Sequence, residues 1–223
     1  MSDLACHCGR RGALFCKKDD FTKLVRWHKC REHADIERVA HDGLVDSCIP
    51  PRIPDLFLDT DISRLPLKIA SALNWMPDEK NSGLLLHGTT GIGKTRIIWE
   101  IIKNMWKLEA AKDRQLDYDF LTMRKLEGMI ERSFDERNHS GMIDGLVERK
   151  VLVLDDLGKE RLTQRMASDL FSIIDERASA KRCTMISTNF NGTTMLDRFD
   201  VRDKETGVAI IRRFKDFYKI IGM

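Results

Sequence analysis

The chain has 223 residues, of which 42% are hydrophobic and 33% are charged, and its formal net charge at pH 7 is +3. This length is enough for one substantial α/β core and a small appended module. No apolar stretch approaches the roughly 20 residues that cross a bilayer, and no apolar secretory core follows the N-terminus, so we expect a cytoplasmic protein with no membrane partner. The net charge does not by itself indicate nucleic-acid binding, because only a local cluster of Lys and Arg makes a phosphate-binding surface.

Cysteines are concentrated near the N-terminus, where we predict a small zinc-binding head. Disulfides are rare in a reducing compartment, and about 30 residues do not form a packed core without a staple such as a metal ion. The predicted zinc ligands are Cys6, Cys8, Cys16 and Cys30. His33 is an alternative ligand, because Cys30-x-x-His33 can supply half of a site without Cys16. Free thiols in a flexible tail are the other interpretation.

Basic and aromatic residues are interleaved in the same head. They are Arg10, Arg11, Lys17, Lys18, Lys23, Arg26 and Lys29, with Phe15, Phe21 and Trp27 between them. Such a surface can bind single-stranded DNA through phosphate attraction and base stacking, or it can dock onto an oligomeric partner protein. Alternatively, the aromatic side chains form the small core of the head itself.

A proline-containing segment, "IPPRIPD" at residues 49–55, separates the head from the main body. Proline favours extended backbone, which is typical of linkers. We therefore predict three parts: a cysteine-rich head at 1–47, a linker at 48–61 and a main domain at 62–223.

The main domain is predicted to alternate helices with strands. The predicted helices are 62–75, 95–111, 123–134, 141–149 and 164–180, followed by an amphipathic helix at 209–217. The predicted strands are 83–87, 118–122, 151–156 and 183–189, and a final apolar segment is 218–221. This alternation predicts an α/β fold with a parallel sheet and helices on both faces.

A glycine-rich turn, "GTTGIGKT", follows the first strand and precedes a helix, and it fits the pattern G-x-x-x-x-G-K-[ST]. Its glycines allow successive backbone N–H groups to point at phosphate oxygens, and the helix N-terminus favours negative charge at the same place. Lys94 is expected to reach the β- and γ-phosphates of ATP, and the Thr95 hydroxyl to bind Mg²⁺. The predicted nucleotide-binding residues are Gly88, Thr89, Thr90, Gly91, Ile92, Gly93, Lys94 and Thr95. The alternative is a flexible turn with a solvated lysine.

Two acids and an amide stand at the ends of the third and fourth predicted strands. Asp155 and Asp156 end the strand "VLVL", where open α/β sheets bind their ligands. We expect Asp155 to bind Mg²⁺ and Asp156 to orient or deprotonate an attacking water. Asn189 follows "MIST" and would position that water if its strand lies between the other two. The alternatives are a solvated turn for the acids and a helix cap or Asx-turn for Asn189.

Two arginines in the last helix are candidates for contact with a nucleotide bound to a neighbouring subunit. Arg212 and Arg213 lie in "AIIRRFKDF". Arginine suits this task because it stays charged and presents several donors to phosphate oxygens. An exposed basic helix face is the competing interpretation.

Taken together, the motifs "IPPR", "GTTGIGKT", "VLVLDDLGKERLT", "SDLFSIIDER", "MISTNF" and "IIRRF" resemble those of the DnaC/IstB-type AAA+ ATPases. These are bacterial and phage helicase loaders and their transposition-helper relatives, and the resemblance covers about residues 49–221. It implies an ASCE-type P-loop sheet, nucleotide-driven self-assembly, and a sensor-1 role for Asn189. It also implies an arginine-finger role for Arg213, with Arg212 as the weaker candidate. Because the chain stops at Met223, we expect no C-terminal helical lid, and weak hydrolysis unless a neighbouring subunit completes the site.

The resemblance leads to three hypotheses on function in a bacterial cell or a phage-infected host. The first is an ATP-dependent loader that delivers a hexameric replicative helicase onto single-stranded DNA, with ATP, Mg²⁺ and Zn²⁺ as cofactors. The second is an IstB-like transposition helper. The third is a nucleotide-gated adaptor with little turnover. In loaders of this family the head contacts the helicase. The candidates for DNA contact are the head, the pair Arg124 and Lys125, or both.

Overall fold

The computed structural model describes residues 50, 52–112, 114–159, 162–199 and 204–222. The predicted zinc ligands and the rest of the head lie outside these residues, so zinc binding and the predicted domain boundaries stay predictions. Within the described part of the chain, no helix is both long and apolar enough to span a membrane.

Five parallel strands form one sheet with the order β2-β3-β4-β1-β5. The strands are β1 (Gly83–His87), β2 (Tyr118–Thr122), β3 (Val151–Leu157), β4 (Cys183–Thr188) and β5 (Tyr218–Gly222). In a parallel sheet all carboxyl ends lie at the same edge, and ligands bind outside that edge. Because β4 lies between β1 and β3, the segments that follow these three strands are neighbours.

Helices connect the strands and agree closely with the sequence analysis, apart from the first. Two 3₁₀ helices cover Asp55–Phe57 and Ile62–Arg64. The α-helices are α1 (Leu67–Ala70), α2 (Lys94–Ala110), α3 (Met123–Asp135), α4 (His139–Glu148), α5 (Gln164–Ser179), α6 (Gly192–Leu196) and α7 (Lys204–Phe217).

The helix predicted for residues 62–75 is wrong. The segment consists of a 3₁₀ turn, one turn of α-helix and further turns. Pro66 causes the break between the 3₁₀ turn and α1, because it has no backbone N–H and disfavours helical dihedrals in the residue before it. Leu65 accordingly has extended backbone, with φ −86° and ψ 142°. Apolar periodicity alone does not detect such a break.

Apolar side chains cover both faces of the sheet. On one face, residues of α3, α4, α5 and α7 pack in one cluster with Leu121, Leu152 and Leu154. On the other face, Trp99 of α2 stacks on Phe120 with ring centroids 4.3 Å apart. Successive side chains of a strand point to opposite faces, so Phe120 and Leu121 lie on opposite faces of the sheet. The predicted α/β class with helices on both faces is confirmed.

The described residues divide into two compact units. Residues 52–58 and 102–116 belong to one, and 59–101 and 117–222 belong to the other. In the first unit, Lys103 Nζ donates to the carbonyl oxygens of Phe57 at 3.3 Å and Leu58 at 3.1 Å. The second unit contains the sheet and the predicted site.

A fully buried arginine, Arg177 of α5, stabilises the amino end of β4. Its guanidinium donates to the carbonyl oxygens of Leu146, Val147, Arg149 and Cys183 and to Thr184 Oγ1, at 2.5–2.9 Å. Burial lowers the pKa of Arg177 to about 10, so the side chain stays charged at neutral pH. Burial also raises the pKa of the neighbouring Cys183 thiol to about 12. The charge is therefore satisfied by carbonyl dipoles, several of them at the C-terminus of α4, where cations are favoured.

Tight pairing of Gly83 with Tyr218 in β5 generates a stability prediction. Gly83→Ala is expected to lower the free energy of unfolding by about 1–3 kcal/mol, the usual cost of overpacking. The reason is that the new Cβ would lie 2.4 Å from ring atoms of the buried Tyr218. Urea unfolding followed by circular dichroism measures the change. In the control, Gly145→Ala in α4 meets no atom within 4 Å and should raise stability by about 0.5–1 kcal/mol. An equal effect of the two substitutions would contradict the tight packing at Gly83.

Candidate active site

The glycine-rich turn joins β1 to α2, and its backbone requires its glycines. The φ values of Gly88, Gly91 and Gly93 are 148°, 86° and 95°, a region that residues with a Cβ rarely adopt. A Cβ at Gly93 would also lie 2.4 Å from Leu65 Cδ2. The turn is tied to the sheet because the Gly88 N–H donates to the Thr188 carbonyl at 3.2 Å. The glycine spacing noted in the sequence therefore has a conformational basis.

Lys94 begins α2 with its ammonium group buried in the site, the residue being only 6% exposed. Nζ donates to the carbonyls of Gly88 at 2.8 Å and Thr89 at 2.9 Å, and to Asn189 Oδ1 at 2.9 Å. Burial lowers the pKa of Lys94, while the charges of Asp156 and Asp155 oppose that shift. The turn, the acid pair and Asn189 thus surround one buried positive charge.

Thr95 and Asp155 are brought together as the sequence analysis expects for a Mg²⁺ site. Thr95 Oγ1 lies 3.1 Å from Asp155 Oδ1 and 3.2 Å from Oδ2. Burial raises the pKa of the Asp155 carboxyl, and the Asp156 charge adds to this, while Ser187, Thr95 and Lys94 oppose it. Hydroxyl and carboxylate oxygens are ligands that suit Mg²⁺, which normally takes its other ligands from phosphates and water. These residues fit the ion.

Asp156 has a different environment from Asp155 because β3 is irregular at this point. The pairing of β3 with β4 shifts register between Leu154 and Leu157. At Asp156 the backbone is left-handed, with φ 62°. Its side chain is 36% exposed, and Lys159 Nζ lies 3.6 Å from Oδ2. One acid is therefore buried beside Thr95, and the next is partly exposed.

Asn189 follows β4, which lies between β1 and β3 as the water-positioning hypothesis requires. Its amide oxygen accepts from Lys94. The alternative role as a helix cap belongs to another residue: Asn191 Oδ1 accepts from the N–H groups of Thr193 and Thr194 at the start of α6. The amide of Asn189 therefore faces the turn that contains Lys94.

The two arginines of α7 make contacts within the chain. Arg213 Nε is paired with Asp175 of α5, and Arg212 Nε lies 3.7 Å from Asp216 with its side chain 77% exposed. Within the described residues, neither arginine forms a hydrogen bond or ion pair with the glycine-rich turn or the acid pair. A role at the site of a neighbouring subunit stays a prediction.

Sequence reasoning missed Ser187 and His87. Ser187 Oγ donates to Asp155 Oδ1 at 2.5 Å and accepts from the Asp156 N–H at 2.9 Å. A hydroxyl in a buried strand, two residues before Asn189, was the available signal. His87 ends β1 and contacts Gly222, where a Cβ would meet its ring Nε2 at 2.1 Å. Burial lowers the pKa of His87, and the Lys94 charge lowers it further.

Comparisons with known proteins identify the family. Residues 57–217, more than half of the chain, match the family described as IstB-like ATP binding protein. A Mycobacterium tuberculosis protein described as ATP-binding, in an insertion sequence, is 24% identical over 123 residues, which are 55% of this chain and 46% of that protein. The chain thus spans about half the length of this curated relative.

Solved structures share the fold. The DnaI crystal structure matches with a TM-score of 0.58 and 19% identity, over 81% of this chain and 93% of that one. The crystal structure of the DnaC helicase loader matches with a TM-score of 0.54 and 23% identity, over 80% of this chain and 95% of that one. The structure of AMPPCP-bound DnaA from Aquifex aeolicus matches with a TM-score of 0.54 and 14% identity, over 69% of this chain and 44% of that one. These likenesses confirm the predicted P-loop, AAA+ type of sheet. The match over residues 57–217 shows that the chain belongs to the family of IstB-like ATP binding proteins.

Proposed function

We propose that this chain is an Mg²⁺-dependent ATPase that loads a hexameric replicative helicase onto single-stranded DNA. One observation carries the ATPase part: two hydrogen-bonded pairs of side chains, Lys94 with Asn189 and Thr95 with Asp155, meet at the glycine-rich turn. These residues come from three parts of the chain, which are the segment after β1, the end of β3 and the segment after β4, so their convergence is a property of the fold rather than of one local motif.

Each of these residues, together with the neighbouring Asp156, has a proposed task in hydrolysis. Backbone N–H groups of the turn bind the phosphates, and Lys94 exchanges its contacts with carbonyl oxygens for phosphate oxygens. Thr95 and Asp155 would hold Mg²⁺, which would supply neutralisation of the phosphate charge when bound. Asp156, whose side chain is partly exposed, accepts a proton from the attacking water, and Asn189 positions that water.

Completion of the site by a second subunit is part of the proposal. Arg213 or Arg212 of one subunit would approach the γ-phosphate bound by its neighbour, so that hydrolysis is weak in the monomer and rises on assembly. Support comes from the chemistry of arginine and from the exposed position of Arg212.

The loader proposal rests on the motif resemblance and on the fold shared with a DnaC helicase loader over 80% of this chain. The head is proposed to bind zinc and to contact the helicase. A second candidate function, helping a transposase, is favoured by the relative that lies in an insertion sequence. Arg124 and Lys125 of α3 are exposed and remain candidates for DNA contact.

Lys94→Ala is expected to weaken ATP binding by about 100-fold or more, because it removes a buried charge that binds phosphate. Fluorescent ATP-analogue titration measures the affinity, and circular dichroism checks that the fold is kept. Lys125→Ala, which removes an exposed lysine of α3, serves as the control and should bind ATP normally. Undiminished ATP affinity in Lys94→Ala would refute the assigned role of the turn.

Asp156→Asn is expected to retain ATP binding while kcat falls by about 10²–10⁴-fold, the usual contribution of a general base. The amide keeps the size of the side chain but does not accept a proton. Phosphate release under saturating ATP measures kcat, and size-exclusion chromatography detects accumulated ATP-bound oligomer. Unchanged function in this variant would favour the nucleotide-gated adaptor.

The immobilised full-length chain is expected to retain a replicative hexameric helicase when ATP is present and to release it after hydrolysis. The assay compares ATP, ADP and no nucleotide, and Lys94→Ala should lose the dependence on ATP. Retention of a transposase encoded by a neighbouring gene, with no binding of the helicase, would replace the loader by the transposition helper.

A further inference from the structure

Three buried hydroxyl side chains lie in β4, and only one of them contacts the acid pair. Thr184 accepts from Arg177, and Thr188 donates to the Leu157 carbonyl at 2.7 Å. Ser187, which is 0% exposed, instead contacts Asp155 and Asp156. It lies in the strand between the one that precedes the glycine-rich turn and the one that carries the acids.

The single hydroxyl of Ser187 contacts both acids in different ways. It donates to Asp155 Oδ1 at 2.5 Å and accepts from the Asp156 N–H at 2.9 Å. A serine hydroxyl can donate one hydrogen bond and can also accept hydrogen bonds through its lone pairs. The Asp156 N–H occupies a lone pair of Ser187 Oγ, and the hydroxyl proton is donated to the Asp155 carboxylate. The hydroxyl therefore recognises the carboxylate of one acid and the backbone of the next.

Both contacts occur where β3 departs from regular pairing. The register shift between Leu154 and Leu157 includes the acid pair, and Asp156 has the left-handed φ of 62°. This conformation is unfavourable for a residue with a Cβ and persists only where the surroundings hold it. The bond from the Asp156 N–H to Ser187 Oγ is one such constraint.

We propose that Ser187 is a positioning residue for the metal and for the water-activating acid, an inference that rests on the proposed ATPase function. Its hydroxyl holds Asp155 in the orientation that also faces Thr95, and it holds the backbone of Asp156 so that the carboxylate of Asp156 stays partly exposed. Ser187 touches neither ATP nor Mg²⁺ in this role, because both of its contacts are with the acid pair.

The test measures how much Mg²⁺ strengthens ATP binding. In wild type, the affinity for a fluorescent ATP analogue is compared in EDTA and in saturating Mg²⁺. In Ser187→Ala, the affinity in EDTA should stay within about twofold, because the glycine-rich turn and Lys94 are unchanged. The gain in affinity on adding Mg²⁺ should fall by about tenfold, as expected for the loss of a charge-assisted hydrogen bond. The Mg²⁺ concentration at half-maximal binding should rise in parallel.

Two further variants separate positioning from general stability. Ser187→Thr keeps the hydroxyl and should restore most of the Mg²⁺ gain. Thr184→Val removes a buried hydroxyl from the other end of β4 and should lower the melting temperature without changing the Mg²⁺ gain. The inference is overturned if Ser187→Ala keeps the wild-type gain in affinity on adding Mg²⁺. It is also overturned if Thr184→Val loses as much of that gain as Ser187→Ala does. Absence of ATP binding in wild type would overturn the proposed function instead.

Discussion

The site depends on the hydrogen bonds that hold the buried ammonium group of Lys94. Its ammonium donates to carbonyl and amide oxygens, and among the described residues no carboxylate accepts a hydrogen bond from Nζ. A desolvated cation that is held by dipoles keeps a strong attraction for anions, because the low dielectric screens it poorly. The nearby charges of Asp155 and Asp156 help to keep it protonated. The turn is thereby suited to a polyanion such as a triphosphate.

Strand order converts this local feature into a site. Since β4 lies between β1 and β3, the turn after β1, the acids at the end of β3 and the amide after β4 meet at one edge of the sheet. Their spacing along the chain, with Thr95 and Asp155 60 residues apart, has no meaning without that order. The same sheet in another order would contain all of the motifs and yet keep them apart.

Much of this arrangement was predictable from sequence, and the exceptions share a cause. The buried strands are recognisable from runs of apolar residues, and the glycine-rich turn is recognisable from glycines at fixed spacing. The first helix was predicted wrongly because Pro66 interrupts an apolar pattern. Ser187 and Arg177 were missed because their partners, Asp155 and the carbonyls at the end of α4, lie about 30 residues away in the chain. Irregular pairing at Asp156 likewise depends on a neighbouring strand.

Burial of Cys183 has a practical consequence for chemical labelling. Its thiol lies beside Arg177 with a pKa raised to about 12, so it stays protonated at physiological pH. Only the thiolate attacks alkylating reagents. The other cysteines all precede residue 49. Any alkylation of the folded chain would thus come from the cysteines before residue 49, with no contribution from the sheet, and a metal that binds those thiols would lower the number that are modified.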